Sequence, residues 1–289
     1  MKHFAIPLLA GMVLFCVHAQ AQKVEFKEQI TKQFSPANGA AGSTLVIYNI
    51  NGNIKVEGYN GNKVILQMNK TISARNNEIL QAGKNEFKVD FTQTADSIIV
   101  FISDPFDSRP NRNQNWNHGE KRKIEYNYNL DFTIKVPYET NLRASTINGG
   151  DVIVHDVTGA MHVSNINGAI RLTNAKGVSK VSTINGNVEA NYVAVPAGES
   201  EFKTLNGDIK ITYPPTFSAD CLFKTFRGEF YTDFPDIEKL PVKVVKNTDN
   251  KNEKTIYKLD TETSIRFGNG GKNFRFETFN GNIYIKKQS

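Results

Sequence analysis

The chain has 289 residues, 39% of them hydrophobic, and a formal net charge of +6 at pH 7. Its 35 basic and 29 acidic residues are interleaved, and the tightest basic run is Lys121-Arg122-Lys123. This pattern excludes a nucleic-acid-binding tract and supports no more than weak attraction to anionic glycan or lipid.

Lys2 and His3 precede an apolar run from Phe4 to Val17, and Ala19-Gln20-Ala21 supplies the small residues of a cleavage site. Residues 1–21 therefore read as a secretory signal peptide. The apolar run is too short to anchor the chain in a bilayer, and no later segment is apolar enough to span one. Cys16 is a rival lipid-attachment residue, but Phe15 stands where such a signal has a small side chain. The expected mature protein is exported, periplasmic or at the cell surface, with no transmembrane segment. It keeps one cysteine, Cys221, which reads as a core residue because a single thiol forms no internal disulfide.

Residues 22–140 form a β-rich but irregular N-terminal part. Strands are expected over Thr44–Ile50, Ile54–Glu57, Lys63–Ser73, Glu86–Phe91, Ser97–Ile102 and Ile124–Val136, with one or two helical turns over Asn76–Lys84. Between the last two strands lies a long polar loop carrying Phe106, Arg112 and Trp116. Aromatic rings among hydrogen-bond donors make these three the candidate partner contacts.

From 141 to 289 a repeat takes over. Ile147-Asn148-Gly149, Ile166-Asn167-Gly168, Ile184-Asn185-Gly186, Leu205-Asn206-Gly207 and Phe226-Arg227-Gly228 place successive glycines 19, 18, 21 and 21 residues apart. Ile50-Asn51-Gly52 and Phe279-Asn280-Gly281 are outlying copies. Apolar residues alternate with polar ones on either side of each glycine, giving two short strands per unit. A period near 20 residues is the mark of stacked coils. An antiparallel meander with Asn-Gly hairpins is the competing reading, but it gives no reason for the same string to recur at one place. The expected fold is all-β: a right-handed parallel β-solenoid with a less regular N-terminal part. A hairpin is inserted at about 236–271, and a strand near the C-terminus acts as a final coil or cap. The aliphatic residue before each Asn (Ile147, Ile166, Ile184, Leu205, Phe226, Phe279) is expected to close the core at its corner; the alternative is that the row points outward as an apolar stripe wide enough to bind a partner. Each Asn and Gly is expected to accept a left-handed turn conformation, with the Asn amides stacked.

Three passages carry a family likeness. Val136-Pro137 through Ser145-Thr146-Ile147-Asn148-Gly149-Gly150-Asp151-Val152 looks like an entry into a repeat. Thr183 to Val188 and Thr204 to Ile209 look like interior units, and Glu277 to Lys287 like a closing string. On these residues the chain resembles the putative-adhesin β-strand-repeat family, a domain of unknown function in exported bacterial proteins. The resemblance implies a β-solenoid at the cell envelope. Arg227, in place of the turn Asn, and the long loop holding Trp116 depart from the pattern.

Catalytic constellations are sparse. Arg171, Glu189 and Lys210 share an outward row but offer a single acid, where polysaccharide cleavage needs acids in pairs. His155, Asp156 and His162 flank a corner, and the two histidines are close enough in sequence to face one another across it. Only Asp151 and Asp208 follow turn glycines, too few for a calcium β-roll. No cofactor or metal is assigned. The reading is a non-enzymatic scaffold or adhesin-like protein whose partner is a glycan or another envelope protein. The alternatives are a polysaccharide-processing enzyme and an envelope-stress regulatory partner.

Overall fold

The computed structural model describes residues 23–110, 124–241, 244–249, 254–259 and 262–289. The expected signal peptide, Cys16, Arg112 and Trp116 lie outside them. The chain runs β1 (Val24–Phe34), β2 (Thr44–Tyr48), β3 (Ile54–Tyr59), β4 (Val64–Ala74), α1 (Asn77–Glu86), β5 (Lys88–Gln93), β6 (Ser97–Asp104) and β7 (Asn127–Pro137). Short strands follow: β8 (Asn141–Ser145), β9 (Val152–His155), β10 (Met161–Ser164), β11 (Ile170–Ala175), β12 (Ser179–Ser182), β13 (Val188–Tyr192), β14 (Ser200–Lys203) and β15 (Ile209–Tyr213). The last are β16 (Ala219–Lys224), β17 (Phe230–Thr232), β18 (Ile237–Lys239), β19 (Val244–Asp249), β20 (Lys254–Leu259), β21 (Thr263–Phe267), β22 (Asn273–Glu277) and β23 (Ile283–Lys287).

Among the described residues the fold is all-β apart from α1, and most of its strands lie in two large mixed sheets. The first runs β1-β4-β7-β3-β9-β11-β13-β15-β23-β17 and the second β18-β21-β16-β22-β14-β12-β10-β8-β2-β6-β5. Through the repeat the pairing is parallel: Val152 pairs with Ile170, Ile170 with Val188, Val188 with Ile209 and Ile209 with Ile283. Toward the ends it is not. β4 is antiparallel to both β1 and β7, β5 to β6, and β21 to both β16 and β18. The expected parallel stack is corrected here: antiparallel strands cover one edge of the first sheet and both edges of the second, while β17 is an edge strand parallel to β23.

The two sheets enclose one continuous apolar core. Ile54, Val152, Ile170, Val188, Ile209 and Ile283 stack in register along the first sheet, all fully buried. Opposite them the second sheet changes from aliphatic to aromatic filling. Phe202 stacks on Phe276 at 5.4 Å and Phe223 on Phe276 at 5.1 Å, so the ring-filled end lies toward β16 and β17. Identical side chains one strand spacing apart pack face to face, which suits aromatic stacking. Helix α1 starts where the Asn76 side chain accepts the Ile79 amide at 2.9 Å, and it buries Ile79 and Leu80.

The C-terminal segment does not lie at the end of the stack. β22 sits between β14 and β16, and β23 between β15 and β17. The turn at Asn280 is accordingly bridged by Asn206 on one side and Arg227 on the other. β19 and β20 form a separate antiparallel pair between β18 and β21.

Candidate functional site: a groove along one corner of the stack

Each Asn-Gly corner is built by close backbone approach. A β-carbon on Gly168, Gly186 or Gly207 would lie 2.1 Å from a carbonyl oxygen of the coil beneath, belonging to Gly150, Gly168 and Gly186 respectively. On Gly281 and Gly228 the gaps would be 1.9 and 1.8 Å. Space, more than φ, is what demands glycine here. Of the turn residues expected to be left-handed, only Gly52, Gly149 and Gly281 have positive φ, and none of the asparagines does. In the doubled Gly149-Gly150 corner it is Gly150 that meets the coil below, while Gly149 (φ +65°) has open space around it.

The residues flanking the glycine hold the coils together. Thr183, Thr204, Thr278 and Thr225 each donate a hydroxyl to the glycine carbonyl of a neighbouring coil, at 2.8–3.1 Å, and Asn165 does so with its amide at 2.9 Å. Asn167 donates to Asn148 at 3.0 Å, and Asn185 to Asn167, Asn206 to Asn185 and Asn280 to Asn206 at 2.8 Å, forming an exposed amide ladder. Asp151 and Asp208 accept the backbone amides of Ala169 and Asn282 at 2.8 Å, so both carboxylates are engaged in stacking.

With the Thr and Asn165 side chains turned inward, the next residue points out. This corrects the expectation that the aliphatic residue closes the core: Ile184, Leu205, Phe279 and Phe226 are 40%, 45%, 43% and 70% exposed. Phe226 stacks on Phe279 with centroids 4.7 Å apart and planes 11° from parallel. Ile147 and Ile166 continue the line, half-buried. Six residues in spatial order Ile147, Ile166, Ile184, Leu205, Phe279, Phe226 thus make an apolar stripe, five strand spacings or roughly 24 Å long.

The outer face of the second sheet forms the far wall of the groove. Its nearest row is Tyr48, Ser145, Ser164, Ser182, Lys203, Glu277 and Lys224, taken across the strands. The next is Val46, Arg143, His162, Lys180, Glu201, Arg275 and Leu222. Two depressions open between stripe and wall. One, of about 860 Å³, lies between Leu205, Phe279 and Phe226 on one side and Lys203, Glu277 and Lys224 on the other. The second, of about 320 Å³, lies between Ile147 and Ile166 and the side chains of Arg143, His162 and Tyr48, with Ser108 and Pro110 at its end.

Charge divides the groove. At the aromatic end it is neutralised: Lys224 pairs with Glu277 at 2.8 Å, Lys203 with Glu201 at 2.5 Å, and Arg275 with Glu262. The Glu277 carboxyl, although partly desolvated, is held below the usual carboxylate range by Lys224, Arg275 and Lys203. At the other end Arg143, His162 and Lys180 stand in consecutive strands, and among the described residues none of the three is in an ion pair. Partial burial, then Arg143 and Lys180, lower the His162 pKa from its ordinary value.

The remaining candidates are dispersed. Phe106 packs its ring against Tyr128 at 6.2 Å, and the neighbouring Arg109 is held by Asp107 over the Phe101 ring. His155 is on β9 of the first sheet and His162 on β10 of the second, so they do not face each other. Asp156, at φ 59°, accepts the Asn174 amide at 2.8 Å. Glu189 is bound by Arg171 at 3.0 Å, and its other row neighbour is Lys210. From sequence the outward stripe is the less favoured of two readings of the aliphatic row, and the exposure of Ile184, Leu205, Phe226 and Phe279 decides for it. The inward Thr preceding each of Ile184, Leu205, Phe226 and Phe279 was the signal that could have found it.

No protein-family model and no curated protein matches the chain. Among solved structures it is similar to a putative cell adhesion protein from Clostridium sporogenes, with 11% identity and a TM-score of 0.44 over 91% of this chain and 100% of that one. A putative adhesin from Bacteroides fragilis is 9% identical with a TM-score of 0.27, covering 90% of this chain and 97% of the other. A putative lipid binding protein from Parabacteroides distasonis is 8% identical with a TM-score of 0.26, covering 91% and 97%.

Proposed function

We propose that this chain is an exported, non-enzymatic interaction protein of the cell envelope. It is a right-handed β-solenoid of the adhesin-like repeat type that presents its corner groove to an extended partner. The single observation that carries the reading is the outward apolar stripe ending in the stacked Phe226 and Phe279. Four exposed apolar side chains in one line, continued by the half-buried Ile147 and Ile166, form a contiguous patch of the kind that marks an interaction surface, where scattered single residues would not. The Thr-to-glycine bonds already hold the coils, so the stripe is free of a structural duty.

The partner runs along the stack, crossing the strands, because the stripe, the amide ladder and the serine row all run that way. The test is capture of glycan and protein fractions of the cell envelope on immobilised protein, compared with a Leu205→Ser, Phe226→Ser variant of unchanged circular dichroism and melting temperature. Loss of capture in the variant supports the reading. Equal capture by both proteins, or none by either, overturns it.

A further inference from the structure

We propose that the half of the groove bordered by Arg143, His162 and Lys180 is a binding site for a linear acidic glycan, a chain of sugar rings bearing carboxylate or sulfate groups. The assignment rests on the interaction reading above and names the class of ligand.

Charge complementarity carries the argument. Arg143, His162 and Lys180 occupy matched positions on β8, β10 and β12, so three basic side chains stand one strand spacing apart on an accessible face. Two acids lie near Lys180: Glu199, which shares a shallow depression with it and accepts the Asn273 amide at 3.3 Å, and Glu201. Glu201, the register partner of Lys180, turns to Lys203 at 2.5 Å and to Arg275 at 3.9 Å. Along the same sheet face beyond Lys180, acids and bases alternate and pair. Two unpaired cations, Arg143 and Lys180, on either side of an imidazole that an anion would help to protonate, beside a run whose charges are paired, suit an anionic ligand.

Hydroxyls and an aromatic ring complete the site. Ser145, Ser164 and Ser182 form a row one step closer to the stripe, each within the reach of a group bound by its coil's cation. Tyr48 closes the end of the 320 Å³ depression, and Ile147 and Ile166 supply its apolar side. A basic side chain, a hydroxyl and an apolar side chain thus recur together on each coil, which matches a sugar acid with a charged group, hydroxyls and a hydrophobic ring face.

Spacing decides between polymers. Coils rise about 4.8 Å, whereas the same-face side chains of an extended peptide recur about 6.8 Å apart. An acidic peptide lying along the stack therefore falls out of step with the row of Arg143, His162 and Lys180. A chain of pyranose rings advances by close to one coil per ring and stays in step.

The experiment is calorimetric titration of the purified protein with polygalacturonate oligomers and a sulfated oligosaccharide. Neutral oligosaccharide and polyglutamate of matched length serve as comparisons. Both acidic glycans are expected to bind, the neutral one not to, and polyglutamate to bind at least about tenfold more weakly. Arg143→Gln and Lys180→Gln are each expected to weaken glycan binding about tenfold, in keeping with the loss of one charged hydrogen bond. Lys55→Gln, which removes one positive charge from the outer row of the other sheet, is expected to leave it unchanged. The proposal is overturned if Lys55→Gln weakens binding as much as Lys180→Gln, if polyglutamate binds as well as the glycans, or if neither acidic glycan binds. Failure of the glycans to bind while Leu205→Ser, Phe226→Ser still abolishes envelope capture removes this ligand class and leaves the interaction reading in place.

Discussion

Gly207 lies so close over Gly186 that a β-carbon on it would be 2.1 Å from the Gly186 carbonyl oxygen. The obstacle is backbone on a coil that is bonded above and below, so neither side yields. Gly207→Ala is expected to lower unfolding free energy by about 3 kcal/mol. Gly149→Ala meets open space and suffers only from its positive φ, a cost of about 1–2 kcal/mol. Urea melts of the two variants check the order, and equal losses would show that turn conformation governs after all.

The two ladders at each corner differ in burial, and so in weight. Thr204 is buried, and its hydroxyl bonds the Gly186 carbonyl; Thr204→Val leaves that acceptor dry and is expected to cost about 1–3 kcal/mol. Asn185 bonds Asn167 and Asn206 on the exposed surface, where water replaces what is lost. Asn185→Ala is expected to cost about 0.5–1 kcal/mol. Thermal unfolding of both variants decides whether the visible amide ladder or the hidden hydroxyl row carries the stack.

Burial pushes the Cys221 thiol well above its ordinary pKa, with Asp220 adding to the shift. The side chain is 1% exposed, so native protein is expected to resist thiol reagents at neutral pH and to react only on unfolding. Peptide mapping after alkylation with and without urea reads the difference. Rapid labelling of the native protein would contradict the packing of β16.

His162 titrates below its ordinary value, so the folded ring holds a proton less readily than the unfolded chain does. Its contribution to stability is full above about pH 6.5 and declines as pH falls through that value toward the lowered one. His162→Gln is expected to flatten this part of the stability profile. Titration of the ring by NMR is expected to show its pKa rising when an acidic oligosaccharide occupies the neighbouring depression, because the bound anion favours the imidazolium.

The parallel register of the Asn-Gly strings was legible because every interior coil meets the same demand: a glycine under a carbonyl, with Thr or Asn165 to bond it. The direction of Ile184 and Leu205 was not, since the string alone does not say which of two adjacent residues turns inward. β1 escaped notice although Val24, Phe26, Ile30 and Phe34 alternate along it, because Glu28 and Lys32 interrupt the same face. In the structure Glu28 meets Lys70 on β4 and Lys32 lies over the Phe91 ring, so those charges face partners. The cationic half of the groove is invisible along the chain: Arg143, His162 and Lys180 are separated by 19 and 18 residues and become neighbours only across strands.

The position of β22 and β23 has a consequence for biogenesis. A tower whose storeys follow chain order can be raised as the chain emerges. This one has a missing storey that only β22 and β23 can fill, so β16 and β17 have no seat on β14 and β15 until those later strands arrive. Loss of the tail would therefore sever the upper storeys from the lower, where trimming the outermost unit of an ordinary array would merely shorten it.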